Sequence, residues 1–136
     1  MISELNKLMI IQEKELKDLL ELLNIQYKMI LQKDLFGLEG IVDKINECGK
    51  KIAKKEMERR HLIGESSISQ IVNTSENEEL KNVYYDIQNT VKNVIKKKDT
   101  NDIILKQRLM FTNKMINIMN PNREIKTYNS YGNLSR

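Results

Sequence analysis

The chain has 136 residues, about 40% of them hydrophobic, which is enough for one domain with a core of its own. One Pro, five Gly, two Phe and no Trp exclude a sheet protein, which needs more turn punctuation and more β-branched or aromatic alternation than is present. The net charge of +4 is unevenly spread: residues 1–33 carry five positive and five negative charges, 34–64 seven and six, 65–79 none and four, 80–119 eight and three, and 120–136 three and one.

Residues 3–33 begin at Ser3, a candidate N-cap, and place Leu5, Met9, Gln12, Leu16, Leu19, Leu23, Gln26 and Ile30 in alternating steps of three and four. That spacing predicts a helix. Leu8, Leu20, Leu22, Tyr27 and Leu31 widen the apolar stripe, so the helix touches more than one neighbour and belongs to a bundle. Asp34 can cap a second helix, with Gly37 and Gly40 loosening the chain where it must reverse. Leu38, Ile41, Ile45, Cys48, Ile52, Lys55, Arg59 and Leu62 continue the same steps to an end near Gly64, with Arg60 and His61 suiting the helix dipole in the last turn. Two helices of similar length joined closely make an antiparallel hairpin.

Residues 64–77 are polar and acidic, with an apolar knot at Ile68, Ile71 and Val72 that predicts one short turn packed on the bundle end. Ser75 followed by Glu78 has capping-box spacing and predicts the start of a third long helix. Its seam runs Leu80, Tyr84, Ile87, Val91, Val94, Lys98, Asn101, Leu105, Arg108, Thr112, Met115, Met119 without a change of phase. The polar stretch 96–102, where Asp99 or Thr100 can cap a fresh start, is the weak point, and a break there would give four helices; unbroken phase favours continuity. Asn120-Pro121 stops the helix. The fold expected is therefore all-α: an elongated antiparallel bundle of three long helices over residues 1–120, followed by a disordered, flexible tail over 121–136.

Catalysis finds little support. There is one His and one Cys, with no nucleophile motif, no phosphate-binding glycine loop and no metal-ligand spacing, so neither an enzyme nor a cofactor is expected. His61 reads as a helix-end residue and Cys48 as a small core side chain. A single cysteine precludes an intrachain disulfide and fits a reducing compartment. With no signal peptide and no apolar run of spanning length, a cytoplasmic protein without membrane insertion is expected. Lys96, Lys97 and Lys98 and the pairs Lys50-Lys51 and Lys54-Lys55 suggest phosphate contacts. Interleaved acids and the want of stacking aromatics instead favour solvated helix faces and no nucleic-acid partner.

The informative anomaly is Ile103 to Met119, where ten of seventeen residues are Ile, Leu, Met or Phe. Leu105, Met115 and Met119 lie on the seam, flanked by Ile104, Leu109 and Ile116, while Ile103 with Met110 and Phe111 with Ile118 project to other sides. A helix apolar all round either fills a wide core or awaits a partner. Three methionines in it suit a surface that repacks against more than one sequence. Ile103, Met110, Phe111, Met115, Ile118 and Met119 are the candidate partner-binding residues.

At this point the chain resembles the FlgN-type flagellar export chaperones over nearly its whole length. The resemblance rests on two leucine-rich helices, the second closing Glu56-Met57-Glu58-Arg59-Arg60-His61-Leu62-Ile63, on a polar connector, on a long helix with Asn101 followed by Ile104-Leu105, and on a tail reading Thr127-Tyr128-Asn129-Ser130-Tyr131-Gly132. It implies a cytoplasmic chaperone whose C-terminal part binds the C-terminal helices of the hook–filament junction proteins and prevents their premature association. It also implies transient delivery to the membrane-embedded export gate, with Tyr128 the best match for the docking tyrosine and Tyr131 its near competitor. The alternative is a coiled-coil scaffold that self-associates through Ile103 to Met119, and a client-free homo-oligomer would use the same residues.

Overall fold

A computed structural model of the chain describes residues 2–119, which form four helices joined by short turns: α1 (Ile2–Gln32), α2 (Leu35–Ile63), α3 (Ile68–Thr74) and α4 (Glu78–Met119). The chain divides into two compact units, Met1–Asn101 and Asp102–Arg136. The tail from 120 onward, Tyr128 included, lies outside the described residues.

In the first unit the cross-helix contacts give the topology. Gln12 meets Glu56 and Glu15 meets Cys48, so α2 runs antiparallel to α1. Asn6 meets Glu79, and Leu23 and Gln26 meet Asn101, so α4 returns parallel to α1. The predicted seams supply much of the buried face: Leu5, Met9, Gln12, Leu23 and Ile30 on α1, Ile41 and Cys48 on α2, and Leu80, Val94 and Asn101 on α4 are buried, joined by Asn6, Ile63, Val83 and Thr90 from beside them, while Lys98 on the α4 seam is exposed. The tightest cluster is Leu5, Met9, Ile63, Val72, Leu80 and Val83, where α1 starts, α2 ends and α4 begins. The apolar knot of the connector closes it: Val72 is fully buried, and Ile68 and Ile71 pack against the cluster.

The local signals for chain reversal act differently from expectation. Asp34 caps α2, accepting from the Gly37 amide at 2.9 Å. The reversal itself, however, is made by Lys33 at φ 59°, with Lys33 N–H donating to Ile30 O and Asp34 N–H to Met29 O in the pattern of a Schellman ending. Gly37 and Gly40 lie inside α2. Gly37 serves the cap, since a Cβ there would fall 2.7 Å from Cγ of Asp34. Ser3 likewise lies within α1, which already includes Ile2. At the far end Gly64, at φ 62°, closes α2 by donating to Arg60 O.

The predicted Ser75 capping box is replaced by a neighbouring cap. Asn77 Oδ1 accepts from the Leu80 amide at 3.1 Å, while Ser75 ends α3 and its hydroxyl oxygen accepts from the Asn77 amide. Asn at this position caps as well as Ser, and it stands one residue before the first helical turn. The fourth helix of the fold is therefore α3 in the connector and does not arise from a break in α4, which is continuous through 96–102. Thr100, a candidate cap there, instead turns its hydroxyl back onto Lys96 O at 2.9 Å, as mid-helix Thr commonly does.

One cross-helix contact sets a pH dependence. Glu13 on α1 is raised above the ordinary glutamate range, first by burial and then by a hydrogen bond to the Asp86 carboxyl on α4, with Lys17 partly opposing at 3.6 Å. The native fold thus holds this proton more tightly than the unfolded chain, so ionised Glu13 is destabilising at neutral pH and is relieved as pH falls through its raised pKa. Glu13→Gln is expected to raise the urea midpoint at pH 7, with the gain shrinking toward about pH 4–5, where unfolded glutamates titrate. A gain independent of pH would contradict this.

Candidate partner-binding surface

The C-terminal segment of α4 begins where the burial of the helix ends. Asn101 is fully buried, and its amide donates to Leu23 O at 3.0 Å and to Gln26 Oε1 at 2.9 Å on α1. Directed hydrogen bonds of this kind fix the register of α4 against α1. Four residues earlier Lys97 Nζ sits 4.2 Å from the Tyr27 ring centroid.

From Asp102 to Met119 no residue is buried. Ile103, Met110, Phe111, Met115, Ile118 and Met119 are all exposed, with Phe111 at 64%, Ile118 at 75% and Met119 at 74%. Leu109 and Ile116 are exposed with them, and Ile104 and Leu105 are half-buried. The expectation that the seam packs through to Met119 is corrected here: Thr112, Met115 and Met119 keep the phase and are exposed among the described residues. The reading of these side chains as filling a wide core fails for the same reason. Ten apolar side chains on five turns of helix form a surface well beyond the scattered exposure normal for a monomer.

The other candidates resolve into structural roles. Lys50 pairs with Glu47 and Lys55 with Glu58, as on a solvated helix face. Glu56, in the close of α2, is held below the ordinary range. Burial alone would raise it, but hydrogen bonds from Arg59, Arg60 and Gln12 together prevail. The Glu-Met-Glu-Arg-Arg element thus ties α2 to the buried Gln12 of α1. Cys48 is buried, donates weakly to Glu15 O at 3.4 Å, and has its thiol pushed up first by burial and then by the Asp18 and Glu15 carboxylates. Few thiolates form in such a site, so the groove of about 530 Å³ beside it, lined also by Asp43 and Glu47, holds no activated nucleophile. His61 is exposed in the last turn of α2. Among the described residues no three His, Cys, Asp or Glu side chains are grouped to hold a metal, and no helix is long and apolar enough to cross a membrane.

A second exposed apolar group, at the α1–α2 turn, escaped the sequence reading: Leu31, Leu35 and Phe36, the last 89% exposed. Its only signal was an apolar pair directly after the capping Asp34, in a place where a turn is usually polar.

Comparison with known proteins gives the family. No curated protein and no solved structure matches the chain. The family model described as FlgN protein matches residues 1–136, the whole chain. Two seamed helices, a short connector helix and a long last helix ending in an exposed apolar surface among the described residues belong to a member of the FlgN family, a family of flagellar chaperones.

Proposed function

We propose that the protein is a cytoplasmic export chaperone that binds the C-terminal amphipathic helices of the hook–filament junction proteins and keeps them from assembling prematurely. It then delivers them to the export gate of the flagellar type III secretion apparatus. The observation that carries this reading is the exposed apolar segment of α4, with Ile103, Met110, Phe111, Met115, Ile118 and Met119 as its contact residues. A filament subunit has an assembly helix whose apolar face would associate in the cytoplasm, and an apolar helix laid beside it removes that hazard. Family membership supports the flagellar setting. Tyr128 is the proposed contact with the gate.

Calorimetric titration with peptides of those C-terminal helices tests the reading. Saturable one-to-one binding with a negative heat-capacity change is expected, since apolar surface is removed from water on both sides. Tyr128→Ala is expected to leave that titration unchanged and to impair export in cells. If no peptide binds and the protein is already a stable oligomer, the segment serves self-association and the chain is a scaffold.

A further inference from the structure

Several cations elsewhere on the helix faces have acidic partners one turn away. Lys14 pairs with Asp18 at 3.2 Å, Lys17 with Glu13 at 3.6 Å, Lys50 with Glu47 at 3.8 Å, and Arg60 with Glu56 at 3.0 Å. From Ile103 to Met119 no such pair can form within the segment. The segment holds Lys106, Arg108 and Lys114 and not one Asp or Glu. None of the three cations has an ion pair among the described residues.

Successive residues on a helix turn by about 100°, which places Ile104, Phe111, Met115 and Ile118 within an arc of about 60°. On the same count Arg108 borders that stripe on one side, about 20° away, and Lys114 on the other, about 40° away. Met119 lies about 20° beyond Arg108, and Ile103 and Met110 about 20° and 40° beyond Lys114, so the two cations bracket this stripe within a wider apolar surface. Cations with no carboxylate among them are a charge pattern that selects a partner. A second copy of this chain would set cation against cation along the contact, which is unfavourable. A nucleic acid would find three charges and, in Phe111 alone, one aromatic ring, against ten apolar side chains that it cannot cover.

We infer that the occupant of this surface is an amphipathic helix whose own apolar stripe is flanked by Asp or Glu, paired with Arg108 and Lys114. This rests on the proposed helix-binding function and specifies its client by charge. Apolar burial supplies the affinity, and the flanking charges set the choice among helices and their orientation.

The test uses the full chain with three synthetic 20-residue helices that share one Leu/Ile stripe and differ only in flanking Glu, Gln or Lys. A junction-protein peptide serves as control for the function itself. At low salt the Glu-flanked helix is expected to bind about tenfold tighter than the Gln-flanked one, as two or three exposed pairs supply. At 0.5 M salt the difference should fall to within about twofold. In the double variant R108E/K114E the order should invert, with the Lys-flanked helix preferred and the Gln-flanked helix unaffected. If the control peptide binds but the Glu- and Gln-flanked helices bind equally, the charge inference is overturned while helix binding stands. If neither control nor synthetic helices bind, the function fails and the inference with it. Displacement of a bound helix by a 20-base-pair DNA duplex, or a stable dimer that excess helix does not dissociate, would assign the surface to nucleic acid or to a second copy and overturn the inference.

Discussion

Replacing Phe111 by Asp is expected to abolish client binding and leave the protein folded, and Met115→Asp to do the same. Both side chains are exposed on α4, and exposed substitutions of this kind change stability by no more than about 0.5 kcal/mol. Helix propensity alters little, so far-UV circular dichroism and the thermal midpoint should match the wild type. In the proposed complex the position lies against an apolar helix. The variant then loses the contact of an aromatic ring and sets an unpaired carboxylate where water is excluded, which weakens binding by on the order of a hundredfold or more. Titration and melting on the same sample check both halves. If Phe111→Asp unfolds the protein, the ring belongs to a core.

Leu80→Ala has the opposite signature. Leu80 is fully buried in the first turn of α4 and packs with Leu5 and Met9 of α1, Ile63 of α2 and Val72 of α3. The cluster draws on all four helices, so truncation opens space at their common junction. A loss of about 2–5 kcal/mol follows for a buried Leu→Ala change. Since the whole stability of a domain this size is about 5–15 kcal/mol, the midpoint of thermal unfolding should fall by roughly 10 °C or more. The variant should still bind client at low temperature, where it is folded. A loss below about 1 kcal/mol in urea titration would show that the end of the bundle is loosely packed.

These two outcomes separate the parts of α4 that one unbroken sequence pattern joined. Stepping by three and four identified the buried face of α1 nearly residue by residue, and on α4 it found Leu80, Val94 and Asn101 but missed the buried Val83 and Thr90 and included the exposed Lys98. It could not show that burial stops there, because periodicity says which residues share a face and is silent on whether a neighbour covers it. Composition supplied what periodicity lacked: apolar residues on every side of 103–119 are more than one seam can bury.

Polar residues were read least well, for a physical reason. Asn101 interrupts the apolar seam and in sequence looks like a weakness, yet its amide meets acceptors on α1 that lie more than seventy positions away. Glu13 and Asp86 are equally distant in sequence, and nothing local marks them as a pair. Caps lie nearer to hand, and Asp34 was legible. Ser75 and Asn77 both have capping side chains, and the choice between them depends on where α3 ends, which the fold of the connector decides.

The central claim is that client engages the C-terminal segment of α4 and leaves the bundle faces free. Hydrogen exchange of the full chain with and without a bound junction-protein peptide addresses it most directly. Amides of an exposed helix exchange through frequent local opening, and covering the helix suppresses that opening. Slowing of at least tenfold confined to residues 103–119 is the predicted result. Protection centred on Leu35 and Phe36, with 103–119 unchanged, would place the client at the α1–α2 turn and contradict the account.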